Sequence, residues 1–343
     1  MTDTTRPRLT GVHHVSALSA HIGRSHDFYT RVLGLRPIIR TVNQDDPGMY
    51  HLFFGDGAGT PGSDMTVFDM PHAAAERRGT SSITRTTFRI AGERAFGYWS
   101  DRLDRLGVAH GGVTTRDGRQ VVDFDDAVGT QLSLVDDGGA GEAFPWEESP
   151  VPPEFQIRGL GYVAITVPAL EPTDRFLTSA LGLRRTREYA MNEAPRFAAH
   201  VYEIGDGGAH AELHVRVRDD LPRARYGSGG VHHLALRVPD GQAMSDWLGR
   251  VDEAGYRNSG IVDRHYFTSL YVREPNHVLF ELATDGPGFE VDGPLDAERL
   301  SLPPFLEPRR AEIESRLKPI VVEPDADAVP VAASHVFPGT PAR

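Results

Sequence analysis

The stretch GVHHVSAL (residues 11–18) decides the fold, because its pattern returns 148 residues further on as GLGYVAIT (residues 159–166). The same offset relates RVLGLRP to SALGLRR, with Gly34 on Gly182, and it places Trp99 on Trp247. Ordered matches at a nearly constant offset indicate a tandem duplication. We therefore predict two related halves.

Each half divides again into strand-like and helix-like segments. Runs such as TRTTFRI and HHLALRV are typical of strands, and each precedes a segment with apolar residues at intervals of three and four, typical of an amphipathic helix. Short strands bounded by Gly, Asp and Pro follow. The predicted unit is β-α-β-β-β, occurring four times, and the fold class is therefore α+β. The predicted units are 11–70, 81–136, 157–218 and 229–284, within halves 9–138 and 157–290. The other predicted segments are a linker at 139–156, a closing segment with a short helix at 291–320 and a disordered tail at 321–343.

Composition excludes several classes of function. The chain has 343 residues, a formal net charge of −12 and no cysteine. Nucleic-acid binders rely on clustered Lys and Arg, and thiolate chemistry needs cysteine, so neither is expected. Apolar runs fall short of the roughly 18 residues that span a bilayer, and the first residues lack the apolar core of a signal peptide. We expect a cytoplasmic protein that binds no membrane.

Four βαβββ units in tandem resemble the vicinal oxygen chelate superfamily, which includes glyoxalase I, bleomycin-resistance proteins and extradiol ring-cleaving dioxygenases. The resemblance covers about residues 11–317. It implies two open barrels made of paired units, one of them built around a metal. Members of this superfamily often form homo-oligomers, so the resemblance also implies that this protein can form one.

The duplication itself tests which residues could bind that metal. His14 falls on Tyr162 in the other half, while His233 falls on Arg85 and Glu281 on Ser133. One set offers two imidazoles and a carboxylate, and the other offers no metal site. We therefore predict that units 1 and 4 close on each other and share one centre, while units 2 and 3 form a structural barrel. Two histidines and one carboxylate are the facial triad of non-haem Fe(II) oxygenases, and the same ligands also suit Mn(II).

Spacing alone does not decide which histidine of each HH pair binds, since neighbouring strand residues point to opposite faces. The segment RHYFTSLYVREPNHVLFELATDGPGF (residues 264–289) resembles the signature of the hydroquinone 1,2-dioxygenase group. In that group the second histidine of each pair is the ligand, which implies His14 and His233, with His13 and His232 behind them. The resemblance also implies active-site positions for Arg264, Tyr271 and Ser16. Simple alternatives are a surface cation for Arg264, strand packing for Tyr271 and structural hydrogen bonds for His13 and His232.

The leading hypothesis is an Fe(II)-dependent, extradiol-type dioxygenase that opens a hydroquinone or catechol ring with O₂. The resemblance implies that Tyr271 donates to a bound oxygen, that Arg264 offsets negative charge and that a histidine beside the ligands moves a proton. One alternative is a glyoxalase-like isomerase or lyase, which usually draws on a fuller ligand set. The other is a non-enzymatic protein that binds a small molecule. His51, His200, His265 and His277 are expected to be solvated.

Overall fold

The computed structural model describes residues 7–321. The strands are β1 (Val12–Ser19), β2 (Arg36–Asn43), β3 (Asp46–Gly55), β4 (Asp64–Asp69), β5 (Ser82–Ile90), β6 (His110–Arg116), β7 (Arg119–Asp125), β8 (Gln131–Asp136), β9 (Leu160–Val167), β10 (Arg184–Met191), β11 (Ala194–Glu203), β12 (Glu212–Val217), β13 (Val231–Val238), β14 (Asn258–Asp263), β15 (Phe267–Arg273) and β16 (Leu279–Pro287). The helices are α1 (Ile22–Asp27), α2 (Gly92–Arg105), α3 (Leu170–Arg175), α4 (Gly241–Glu253) and α5 (Arg310–Arg316). Short π-helical turns at Phe28–Val32 and Phe176–Ala180 extend α1 and α3.

A helix follows β1, β5, β9 and β13, and three strands follow each of these helices. The longer helices, α2 and α4, each bury one tryptophan completely, Trp99 and Trp247, against the outer face of the sheet. Burying side chains of this size stabilises the packing by several kcal/mol each, roughly 3 or more. The predicted α+β class is confirmed.

All the strands belong to one mixed, open sheet. β1 pairs antiparallel with β13, which brings β1–β4 and β13–β16 around one interior, named here the first barrel. β5 pairs antiparallel with β9 and brings β5–β8 and β9–β12 around another interior, the second barrel. A single residue pair, Val231 with Ile83, connects β13 to β5 and so joins the two barrels.

The segment after β16 returns to the first barrel. A 3₁₀ turn (Glu307–Arg309) leads into α5, and Leu302, Leu306 and Ile313 form a buried cluster with Val42 of β2. The short helix α5 lies within residues 291–320. Most of the predicted tail, residues 322–343, lies outside the described residues. Within residues 7–321, no helix is long and apolar enough to cross a bilayer.

Candidate active site

Three neighbouring strands bring His14, His233 and Glu281 together in the first barrel. His14 lies opposite Ala235 across the β1–β13 pair, and Ala235 lies beside Glu281 across the β13–β16 pair. The Nε2 atoms of the two histidines are 3.1 Å apart. Oε2 of Glu281 is 3.3 Å from Nε2 of His14 and 2.9 Å from Nε2 of His233. Three ligand-type atoms from residues distant in sequence therefore converge on one point.

The chemistry of this point suits a divalent cation. Glu281 is fully buried; its Oε1 accepts a hydrogen bond of 2.5 Å from Ser269, but its Oε2 accepts none. Burial alone would raise the pKa of Glu281, but interactions with His14 and His233 outweigh it and hold that pKa well below its ordinary value. A buried carboxylate oxygen without a donor is costly, by several kcal/mol, unless a cation pairs with it. The residues therefore fit a bound metal ion.

The other histidine of each pair orients the ligand. Nε2 of His13 lies 3.2 Å from the carbonyl oxygen of Thr284, which can only accept, so this nitrogen carries the proton. Burial and the neighbouring His14 lower the pKa of His13 to about 3, so the ring is neutral and its Nδ1 is an acceptor. Nδ1 of His14 lies 3.0 Å away and donates to it. Nε2 of His14 then keeps its lone pair for the metal.

The second pair repeats this contact. Nδ1 of His232 lies 2.8 Å from Nδ1 of His233, and the ring of His232 lines the cavity described below. Strand alternation predicts that His13 and His232 turn away from the ligand face. That prediction is wrong, because both rings contact the ligand rings edge to face, and register shifts interrupt the β1–β13 pairing on both sides of His14–Ser16.

Ser16, Tyr271 and Arg264 also lie close to the three ligand-type atoms. Oγ of Ser16 is 2.9 Å from Nε2 of His233, and the ring of Tyr271 is 5.9 Å from that of His233. Arg264 donates to the hydroxyl of Tyr271 over 3.2 Å and its guanidinium lies over the ring. Burial and the charge of Glu281 raise the pKa of Tyr271, so its hydroxyl stays protonated. The structure therefore brings all eight residues singled out in the sequence together in the first barrel.

An apolar cavity of about 550 Å³ opens onto this point. Aromatic side chains form part of its wall, including Phe53, Phe68, Phe267 and Tyr266. The volume and the flat walls suit a small aromatic molecule. The turn between β2 and β3 covers part of the cavity, where Asp45 pairs with Arg264 at 2.9–3.1 Å.

Sequence reasoning missed some residues here. His51 is predicted to be solvated, but its ring lines the cavity, stacked on Phe68 at 3.9 Å. His200 is also buried, in β11 of the second barrel, so solvation is wrong for both residues. Neither Thr66 nor Asp45 belongs to a recognisable sequence motif. Only the pairing of β4 with β1, and of Arg264 with the β2–β3 turn, reveals their places.

Comparisons with known proteins agree with this fold and site. Residues 159–282 match the family model described as Glyoxalase/Bleomycin resistance protein/Dioxygenase superfamily. MhqA of Bacillus subtilis (strain 168), whose name places it among ring-cleaving dioxygenases, is 46% identical over 317 residues, covering 91% of this chain and 99% of MhqA. A chlorohydroquinone/hydroquinone 1,2-dioxygenase of Sphingobium indicum is 29% identical, covering 80% of this chain and 85% of that protein.

Solved structures give the same result. A Bacillus subtilis crystal structure, described as that of a dioxygenase, superposes with a TM-score of 0.84 at 34% identity, covering 92% of this chain and 99% of that one. Glyoxalase I from Zea mays superposes with a TM-score of 0.59 at 14% identity, which shows the shared fold alone. The chain belongs to the glyoxalase/bleomycin resistance protein/dioxygenase superfamily. Within it, the chain falls in the family of MhqA.

Proposed function

We propose that the chain is an Fe(II)-dependent, extradiol-type dioxygenase that opens a dihydroxylated aromatic ring with O₂ and incorporates both oxygen atoms. The observation that carries this proposal is the buried Oε2 of Glu281, which faces the Nε2 atoms of His14 and His233 at the inner end of an aromatic cavity. Two imidazoles and one carboxylate suit Fe(II), and they also suit Mn(II). A bound metal of this kind would provide a route for electrons from the ring to O₂.

The chain's own groups then bind and orient the substrate. Phe53, Phe68 and Phe267 offer flat apolar surfaces to a ring. Tyr271 remains protonated and can donate to a substrate oxygen, while the adjacent Arg264 offsets negative charge that develops there. Nδ1 of His232 accepts from His233, and burial and the neighbouring His233 lower the pKa of His232 to about 3, so this ring is a poor base. We therefore assign the orientation of His233 to His232, whose ring lines the cavity, and the orientation of His14 to His13.

We propose a hydroquinone, rather than a catechol, as the substrate class. The Sphingobium relative is named for chlorohydroquinone and hydroquinone, and it covers most of this chain. Most of the cavity wall is apolar, which suits an aromatic ring, and it also carries the charged side chains of Asp45, Arg264 and Arg273.

A glyoxalase-like reaction is disfavoured by the register of the strands. Ala235 lies two residues after His233 and pairs with Glu281, while Ser16 lies two residues after His14 and pairs with Thr66. Thr66 therefore occupies the position on β4 that Glu281 occupies on β16. A fuller ligand set, with two ligands from each paired unit, would need a carboxylate or imidazole at Thr66.

The test is O₂ uptake after anaerobic loading with Fe(II), using hydroquinone, methylhydroquinone, chlorohydroquinone and catechol in parallel. We expect stoichiometric O₂ consumption and a new ring-opened chromophore, fastest with a hydroquinone. A parallel sample loaded with Mn(II) identifies the active metal. Tight binding of one iron per chain without O₂ uptake on any of the four compounds would refute the proposal.

A further inference from the structure

A chain of hydrogen bonds runs from the cavity wall to one of the ligand-type atoms. Nε2 of His51 lies 2.8 Å from Oγ1 of Thr66, which donates to Oγ of Ser16 over 2.7 Å. Oγ of Ser16 lies 2.9 Å from Nε2 of His233. The three residues come from neighbouring strands β3, β4 and β1, and both hydroxyls are completely buried.

These hydrogen bonds all point the same way, from His51 toward His233. The single hydroxyl hydrogen of Thr66 points to Ser16, so Thr66 can only accept from His51, whose Nε2 must carry a proton. Burial, and then the nearby His14 and His233, lower the pKa of His51 well below its ordinary value, so the ring is neutral and has one N–H. Ser16 already accepts from Thr66, which leaves its own hydrogen directed at Nε2 of His233.

Binding of a metal by His233 would change the hydrogen bond that Ser16 donates. Once the lone pair on Nε2 is committed to a metal, the Ser16 hydrogen loses its acceptor at that atom. The cavity opens beside this atom, and a substrate oxygen would enter from there under the proposed function. That oxygen is the acceptor that replaces Nε2.

We propose that His51 and Thr66 are positioning residues that fix the Ser16 hydroxyl as a hydrogen-bond donor to the substrate oxygen that enters from the cavity beside His233. This inference rests on the proposed dioxygenase function. The second barrel has no such chain, because the offset of 148 residues places Ala164 at Ser16 and Ala199 at His51, with His214 at Thr66. The duplication shows that the fold itself does not need these hydroxyls and this imidazole.

Packing is the competing explanation for His51, since its ring stacks on Phe68 and lies 4.2 Å from the ring of Phe53. Two variants separate the explanations. His51→Phe keeps a flat ring but has no N–H, whereas His51→Gln keeps an N–H at a similar distance but has no ring. We expect His51→Phe to lower kcat/KM roughly tenfold and His51→Gln to stay within about twofold of wild type. The reverse order would overturn the proposal.

Thr66 and Ser16 provide a second test. Thr66→Val should lower kcat/KM roughly tenfold, with iron content unchanged, and Thr66→Ser should restore it. In a Ser16→Ala background the Thr66→Val change should cost almost nothing further, because the two residues act on one hydrogen bond. Independent, multiplying losses would mean that Thr66 does not act through Ser16.

A readout independent of turnover keeps this inference separate from the proposed function. In protein labelled with ¹⁵N-histidine and loaded with Zn²⁺, the resonance lost in His51→Phe identifies His51. Its nitrogen shifts should report a proton on Nε2, and Thr66→Val should move that signal. A proton on Nδ1 overturns the proposal even if the enzyme is active. Absence of O₂ uptake by wild-type protein with the expected proton on Nε2 overturns the dioxygenase function instead.

Discussion

The two barrels share one strand plan but neutralise an inward-facing carboxylate in different ways. In the first barrel, Oε2 of Glu281 has only two imidazole nitrogens near it and accepts no hydrogen bond. In the second, the carboxylate of Asp123 pairs with the guanidinium groups of Arg85 and Arg116 and accepts a 2.5 Å bond from Ser133. The second barrel supplies its own cations, whereas in the first the described residues bring no guanidinium or ammonium group to Oε2 of Glu281.

The same contrast extends outward from each centre. The 148-residue offset places Arg116 at Arg264 and Asp123 at Tyr271, so an Arg–Tyr pair in the first barrel becomes an Arg–Asp pair in the second. It also relates Asp45 to Glu193, which pairs with Arg216 of β12. Tyr271 adds no carboxylate beside Glu281, and its guanidinium partner Arg264 pairs with Asp45 instead, which favours a metal at Glu281.

A second group of ligand-type residues shows the same principle. Asp117, Glu212 and His214 have atoms within 4.8 Å of one another in the second barrel. Both carboxylate oxygens of Glu212 already accept from Arg119, and Arg187 bonds both Glu212 and Asp117. Guanidinium groups occupy the place of an ion, so proximity of carboxylates and imidazole does not by itself make a metal centre.

The largest expected effect comes from removing the charge of Glu281. Glu281→Gln keeps the shape but withdraws the anion that a divalent cation needs. We expect loss of bound iron and a fall in O₂ uptake of more than about a hundredfold, measured by metal analysis and an oxygen electrode. Metal-free Glu281→Gln should be at least as stable as metal-free wild type, because an unpaired buried charge is gone.

Ser133→Ala is the matched control, since Ser133 stands at the corresponding position of the second barrel. It should keep one iron per chain. Full iron binding by Glu281→Gln would contradict the difference drawn between the barrels.

In the second barrel the corresponding change should affect stability instead. Asp123→Asn leaves the buried Arg85 and the half-buried Arg116 without their carboxylate, which should lower the free energy of unfolding by about 3 kcal/mol in denaturant titrations. Iron content should not change. Asp206→Asn breaks an exposed pair with Arg8 and should leave the denaturation midpoint where it is. Loss of iron in Asp123→Asn would show that the barrels are not independent.

The pH dependence of stability should report the same pair. Burial opposes ionisation of Asp123, but Arg85 and Arg116 hold its pKa well below the ordinary value. A lowered folded-state pKa stabilises the fold fully above the unfolded value of about 4, and this contribution is lost as the pH falls below it. Unfolding free energy should therefore fall less steeply below about pH 4 in Asp123→Asn than in wild type. Parallel curves would contradict this assignment.

Much of this contrast could be predicted from the sequence, because duplication places His14 against Tyr162 and Glu281 against Ser133. The helices that carry Trp99 and Trp247 could also be predicted, because their apolar residues recur at helical spacing within one short segment. The Asp45–Arg264 pair and the His51–Thr66–Ser16 chain could not, since they depend on which strands become neighbours. Strand alternation also failed for His13 and His232, because irregular pairing of β1 with β13 turns their rings toward the ligands.

A smaller effect should come from the residue that orients His14. His13→Phe removes the acceptor for Nδ1–H of His14 and frees the ring to turn. We expect iron affinity to fall about 10- to 100-fold, measured by competition with a chelator. His214→Phe makes the same exchange at an equally buried histidine of the second barrel, and iron affinity should not change. Equal losses in both variants would mean that burial, and not the Nδ1 contact, sets the affinity.

The smallest expected effect lies at the rim of the cavity. Asp45 is exposed and holds Arg264 through two hydrogen bonds, so Asp45→Asn should loosen the Arg264–Tyr271 contact without touching the ligand-type residues. We expect kcat/KM to fall by less than about fivefold, and the difference from wild type to shrink in 1 M salt, where exposed charges are screened. Asp46→Asn removes the neighbouring carboxylate, which pairs with Arg316 and not with Arg264, and should leave kcat/KM unchanged. A loss that persists in high salt, or that appears equally in Asp46→Asn, would place the effect in the β2–β3 turn as a whole instead of in the charge on Arg264.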